Sequence, residues 1–210
     1  AEAYTLLSTG FDVLPAKEAM PKARNAAIKA LELNPMLPEA YVCLGLIAMF
    51  HDWNPKSTIE YFNKALELNP NSSLANQWIE FYWSFMVGDF NQSLAALHRA
   101  EELDPLNFLI KIRIGYVYLY QRNFNKAIEF FKTLQKNDMN LSIIKLSLMY
   151  AYGQDKQYEK ALDEGMKMWN SGARAVANAG VLGFYYAVTK QKEKAYKLVS
   201  DLKNRSNKGY

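Results

Sequence analysis

The sequence predicts an all-α fold, built as a solenoid of about six helical hairpins. A recurring segment is the first observation: Ala30–Pro35 returns as Ala65–Pro70 and, altered, as Ala100–Pro105, so that the prolines lie 35 residues apart. The second is that no useful length of chain alternates apolar and polar residues as a β-strand does. A fixed period of this length is typical of stacked helical repeats.

Markers beyond Pro105 continue the period. Aromatic residues 34 apart occupy one position, namely Tyr118, Tyr152 and Tyr186. A small-residue position runs through Ala23, Thr58, Ser93, Ala127, Ala161 and Ala195. Small residues let paired helices approach closely, and the proline after Leu-Asn or Leu-Asp cannot continue a helix. Each unit is therefore predicted to be a helix–turn–helix hairpin.

The elements follow in order from these markers. First helices are predicted near 2–14, 38–51, 73–87, 107–121, 141–153 and 175–189. Second helices are predicted near 16–33, 55–68, 90–103, 124–137, 157–170 and 192–203. In the second hairpin, Asn54 is placed to cap the helix and Pro55 to occupy its first position. Asp89 and Asn123 stand at equivalent helix starts.

The period and its markers resemble the tetratricopeptide repeat (TPR). The fourth unit carries the resemblance best, with Gly115, Tyr118, Phe124, Ala127 and Phe131. The resemblance implies a right-handed superhelical solenoid. It also implies one array over residues 1–210, with units near 4–36, 37–71, 72–106, 107–140, 141–174 and 175–207 and no separate second domain.

Two units depart from the pattern at the glycine position, and the last three lack the closing proline. The third has Glu80 or Phe81 where glycine is expected, and the fifth has Met149 there and Gly165 in place of the usual aromatic residue.

A narrower likeness is carried by four stretches, Leu14–Ala19, Lys29–Pro35, His51–Asn54 and Ala100–Leu106. They resemble the C-terminal TPR arrays of bacterial signalling and transcription regulators, including winged-helix activators, adenylate cyclases and protein kinases. The likeness implies the sensory or regulatory part of a larger protein.

The TPR resemblance also implies a concave groove lined by the first helices. It places aromatic side chains there, and the candidate peptide-binding residues are Phe50, Trp78, Tyr82, Phe85, Tyr116, Tyr120 and Tyr150. Large, stiff aromatic rings suit a peptide or partner domain. The alternative is that many of these rings pack against neighbouring helices.

Binding of chaperone tails is not expected. The family's two-carboxylate clamp needs asparagines and basic residues at set positions of the first helices. The ninth position of the units carries Leu46, Tyr82, Tyr116, Tyr150 and Phe184, with no asparagine.

Residues for catalysis are scarce, so we expect a protein that is not an enzyme, with no catalytic residues, metal ligands or cofactors. His51 and His98 lack metal-ligand spacing, and the single Cys43 is expected to pack in the core. His51-Asp52-Trp53 falls at an inter-helix turn, where we expect Trp53 to pack the turn down.

The net charge of +4 is unevenly divided. Residues 1–105 hold seven Lys and Arg against 13 Asp and Glu, whereas residues 106–210 hold 18 against eight. An alternative function is therefore a binder of nucleic acid or an acidic partner through the basic C-terminal half. Solvated helix faces are the more expected explanation of the charge, because the lysines are spaced singly along the helices and not in a block. The aromatic inner positions make nucleic acid the less expected partner.

The last predicted helix keeps an apolar stripe of Ala195, Leu198, Val199 and Leu202. A terminal helix normally presents a polar outer face, so we expect a homodimer through this end. The sequence shows no apolar run long enough to insert in a membrane. We expect a cytoplasmic location, or a periplasmic one if the parent protein carries an upstream membrane segment.

Overall fold

The computed structural model describes residues 15–136, 142–170 and 176–206. Within these ranges the chain forms eleven α-helices and one π-helix, and no strand. The helix predicted near 2–14 lies outside the described residues. The all-α prediction is confirmed.

The helix bounds agree with the predicted ones to within about three residues. They are α1 Ala16–Leu33, α2 Pro38–Phe50, α3 Pro55–Leu68, α4 Ser73–Phe81, π1 Tyr82–Val87, α5 Phe90–Leu103, α6 Phe108–Tyr120, α7 Phe124–Lys136, α8 Ser142–Gln154, α9 Tyr158–Asn170, α10 Val176–Val188 and α11 Lys192–Ser206.

The chain divides into two compact bodies, Ala1–Val117 and Tyr118–Tyr210. In the N-terminal body, α2 pairs with α3 and α4 pairs with α5. In the C-terminal body, α8 pairs with α9 and α10 pairs with α11. The consecutive pairing is that of helical hairpins, which we number as repeats two to six after their predicted units. A single array over residues 1–210 stays a prediction.

Side-chain caps begin three of the second helices as predicted. The Asn54 side chain accepts a hydrogen bond from the Ser57 amide at 3.0 Å. Asp89 accepts from two amides at the start of α5, and Asn123 accepts from one at the start of α7. These bonds satisfy amides that a helix leaves without intrahelical partners.

In repeats two and five, the paired helices approach closely where a small residue faces a large one. In repeat two, a Cβ added at Gly45 would lie 2.8 Å from the ring of Phe62, which is fully buried. In repeat five the sizes are exchanged, because a Cβ at Gly165 would lie 2.7 Å from the Met149 sulfur. The fifth unit therefore departs from the glycine–aromatic pattern without leaving the contact unfilled.

Repeat three accommodates an extra residue as a π-helix. Its first helix starts 17 residues before its second, compared with 16 in repeats four to six. The predicted helix over 73–87 is accordingly α4 followed by π1, and the Asp89 amide donates to the Trp83 carbonyl at 2.9 Å. The wider helical turn of π1 takes up the extra residue, so the loop between π1 and α5 is not lengthened.

The turn of repeat two corrects one expectation. Trp53 does not pack the turn down, because it is 76% exposed and has φ 52°. Arg24 and His51 hold the turn instead, with hydrogen bonds to the Asp52 carboxylate at 2.6 to 3.0 Å. Partial burial raises the pKa of Asp52, but these two bonds outweigh it, so that the net pKa is lowered.

Every hairpin turn from repeat two to repeat six contains one residue with a left-handed backbone. These are Trp53, Gly88, Arg122, Lys156 and Lys190, with φ between 52° and 79°. The last four are 34 residues apart. Only glycine adopts this conformation without steric cost, so four of the five turns use an unfavourable residue.

Replacing Lys156 by glycine is expected to stabilise the chain by about 0.5–1 kcal/mol, because the left-handed backbone strain disappears. Urea unfolding followed by circular dichroism measures the change. The matched control is Gly88→Ala, whose added Cβ meets no atom within 4 Å and whose effect is therefore one of backbone alone. A loss of stability in the first variant, or a gain in the second, would refute the explanation.

Gly45→Ala is expected to destabilise the chain by about 1–3 kcal/mol, because the Phe62 ring has no room to move. In a Phe62→Leu background the same change is expected to cost less. Gly183 occupies the same position in repeat six, where an added Cβ meets nothing within 4 Å. Gly183→Ala should therefore be neutral or stabilising. Equal losses for the two alanines in a denaturant titration would contradict the size-matching argument.

Candidate functional site

Four aromatic rings of the N-terminal body form a continuous surface group, which we call the aromatic cluster: Phe50, Trp78, Phe81 and Phe85. Trp78 stacks on Phe81 at 5.4 Å between ring centroids, and Phe81 stacks on Phe85 at 5.5 Å. Phe50 meets Trp78 and Phe81 edge-on at 6.2 and 6.0 Å. The cluster joins the end of α2 to α4 and π1.

The outer rings of the cluster remain accessible to solvent. Phe85 is 58% exposed and Phe50 is 36% exposed, whereas Trp78 and Phe81 are half-buried. The half-buried rings pack against a core that includes Leu46, which anchors them. An apolar, rigid and partly exposed surface of this kind offers contact area at little entropic cost.

Arg113 from α6 lies against the cluster. Its guanidinium carbon is 4.1 Å from the centroid of Phe81 and 5.4 Å from that of Trp78, both within cation–π range. The guanidinium also donates to the Glu80 carboxylate at 2.6 and 2.9 Å and to the backbone carbonyl of Gln77. The arginine thus ties the first helix of repeat four to that of repeat three.

Glu80 is 2% exposed and stands at the position where repeats two, four and six have glycine. A buried carboxylate needs a cation and further hydrogen bonds to offset its desolvation. Arg113 supplies the cation, and the Ser84 and Ser93 hydroxyls donate to the other carboxylate oxygen at 2.9 and 3.3 Å. Glu80, the residue at which the third unit departs from the repeat pattern, therefore has hydrogen-bond partners for both of its carboxylate oxygens.

The sequence-predicted site residues do not all lie in this cluster. The structure brings Phe50, Trp78 and Phe85 together through Phe81. Tyr82 is half-buried and its ring meets Trp83 at 5.0 Å. The remaining three residues lie on α6 and α8: Tyr116 and Tyr150 are half-buried, and Tyr120 is exposed. A groove that includes all seven stays a prediction.

Phe81 and Arg113 are the members that sequence reasoning missed. The spacing of Trp78, Phe81, Tyr82 and Phe85 places them on adjoining helical turns and could have revealed the first of them. Nothing in the local pattern could have revealed Arg113, because its partner Glu80 lies 33 residues earlier.

A second group of rings lies in the C-terminal body, where Tyr158, Phe184 and Tyr185 have centroids 5.5 to 6.3 Å apart. Burial raises the pKa of Tyr185 to about 12, and the nearby phenols of Tyr150 and Tyr158 add to the effect. The Tyr185 hydroxyl donates to the Met149 carbonyl at 3.3 Å. Tyr150 therefore lies near the buried phenol of Tyr185.

Metal ligands are not grouped in the described part of the chain. No three His, Cys, Asp or Glu side chains among the described residues lie together so as to hold a metal ion. None of the described helices combines the length and the apolar character needed to cross a membrane. Cys43 is buried, as expected of a packing residue.

Solved structures of other proteins share this architecture. PilW, a type IV pilus biogenesis factor, superposes with a TM-score of 0.75 at 16% identity, covering 100% of this chain and 94% of its own. YrrB, a TPR protein with an unusual peptide-binding site, superposes with a TM-score of 0.54 at 15% identity, covering 83% of this chain and 88% of its own. The chain has the tetratricopeptide repeat fold.

Sequence comparison links this TPR chain to a regulator. The transcriptional regulator HilA of Salmonella paratyphi A is 28% identical over 155 residues, which cover 72% of this chain. The match spans only 27% of the length of HilA. No family model matches the chain.

Proposed function

We propose that this TPR chain is a protein-interaction module of a larger bacterial transcription or signalling regulator, and that it binds a peptide or partner domain on the aromatic cluster. The observation that carries the proposal is the stack of Trp78, Phe81 and Phe85, whose outermost ring is 58% exposed. The similarity to HilA supports a regulatory parent protein. YrrB, which shares the fold and has a peptide-binding site, supports a peptide ligand.

The chemistry of the surface favours an apolar segment as ligand. Phe85 and Phe50 expose apolar ring surface, and the nearby cation of Arg113 is neutralised by Glu80 at 2.6 Å. Aromatic anchors in such surfaces carry most of the binding energy of an interface. An apolar side chain of the ligand would extend the stack that already runs from Trp78 to Phe85.

Peptides selected from a random library against the immobilised chain are expected to bind Phe85→Ala at least about tenfold more weakly, as is usual for an aromatic hot spot. Fluorescence polarisation of labelled peptides measures the affinity. Phe85 is more than half exposed, so the variant should keep its unfolding midpoint.

Tyr196→Ala is the matched control, because Tyr196 is 74% exposed on α11 in the C-terminal body. The selected peptides should bind this variant as they bind the unchanged chain. Equal binding to Phe85→Ala and the unchanged chain would show that the cluster is not the binding surface.

We also propose that the apolar stripe of α11 is covered by a second copy of the chain. Val199 is 47% exposed and Ala195 and Leu202 are half-buried, whereas Leu198 packs inward. An added Cβ at Gly183 meets no atom, so the size-matched contact of the earlier hairpins is incomplete here.

Val199→Glu is expected to shift the chain from dimer to monomer, because a carboxylate cannot be buried unpaired in an apolar interface. Static light scattering measures the mass of each variant. A monomer mass for the unchanged chain at concentrations on the order of tens of micromolar would refute the dimer.

A further inference from the structure

Six of the sixteen basic residues of the C-terminal body occupy two repeated positions. The first is the left-handed turn residue, which is Arg122, Lys156 and Lys190 in repeats four, five and six. The second lies in the first turn of the following helix, four residues later, and is occupied by Lys126, Lys160 and Lys194. Repeats two and three have the uncharged Trp53, Ser57, Gly88 and Gln92 at these positions.

Neither position favours the residue that occupies it, the first because of its backbone and the second because of the charge. A left-handed backbone disfavours every residue with a Cβ, so glycine would be the stabilising choice at Lys156 and its two equivalents. The first turn of a helix carries the positive end of the helix dipole, which repels a lysine such as Lys160. Residues kept against such local costs at repeated positions point to a role outside folding.

The six side chains are available to a ligand. All six are exposed. Within the described part of the chain, none of them forms an ion pair with a carboxylate. Their contacts are with neutral groups: Lys160 and Lys194 donate to the side chains of Gln157 and Gln191 at 2.7 and 2.8 Å, and Lys126 lies 4.3 Å from the ring centroid of Tyr118.

Consecutive hairpins of a helical repeat protein stack in register, so equivalent positions line one edge. The helices of repeats five and six pack in this order, with α9 against α10. Arg122, Lys126, Lys156, Lys160, Lys190 and Lys194 therefore form a row of paired cations, which we call the basic edge.

We propose that the basic edge binds an acidic polypeptide segment rich in Asp and Glu. Single lysines on long stems suit separate carboxylates. This surface is separate from the aromatic cluster and does not depend on the function proposed for it.

Two sets of substitutions of the full chain test the proposal. The first variant combines Arg122→Gly, Lys156→Gly and Lys190→Gly. It relieves backbone strain and removes three positive charges. We expect this variant to unfold at the same or higher temperature and to bind fluorescent poly-glutamate at least about tenfold more weakly. Combined Lys126→Gln, Lys160→Gln and Lys194→Gln should weaken binding to a similar extent.

The control removes the same charge elsewhere, with Lys136→Gln, Lys145→Gln and Lys203→Gln, and should change the affinity by less than about threefold. Affinity of the unchanged chain should fall as salt is added. Three results would overturn the proposal: no binding of poly-glutamate at low salt, an equal loss in the control, or tighter binding of oligo-dT than of poly-glutamate. The last result would assign the edge to nucleic acid.

Discussion

The candidate site depends on one buried ion pair. Glu80 replaces a glycine in the first helix of repeat three, and its carboxylate is 2% exposed. A charge so placed requires a partner, and Arg113 reaches it from the next repeat at 2.6 Å. The guanidinium that neutralises Glu80 is also the one on which Phe81 stacks. Removing the ion pair would therefore break a contact between repeats three and four and remove the support that Arg113 gives to the aromatic cluster.

Size matching between paired helices explains how the repeats tolerate departures from their pattern. Gly45 opposes a buried Phe62 in repeat two, and Met149 opposes Gly165 in repeat five. In these two repeats the contact joins one small and one large residue, and the larger residue lies on the second helix in repeat two and on the first in repeat five. A departure from consensus at one position is informative only when its opposing position is considered with it.

Most of the fold could be predicted from the sequence because helix starts and stops are local. Asn54, Asp89 and Asn123 cap where their side chains indicate, and the prolines limit the helices. Less of the site could be predicted. The inserted residue shows only as a spacing of 35 instead of 34, which repeat two shares without a π-helix, and the partner of Glu80 is 33 residues away. The uneven charge, by contrast, is visible in the sequence, and three of its cations, Arg122, Lys156 and Lys190, stand at left-handed turn positions of the C-terminal body.

A double variant, Glu80→Leu with Arg113→Met, tests whether the ion pair supports the aromatic cluster. The quantity to measure is its affinity for peptides. Replacing a buried ion pair by apolar residues of similar size usually preserves stability, so the free energy of unfolding should change by less than about 2 kcal/mol. Peptides selected against the unchanged chain should nevertheless bind at least about tenfold more weakly, because the support of Phe81 is lost. A variant that is stably folded and binds those peptides with undiminished affinity would show that the site does not depend on the pair.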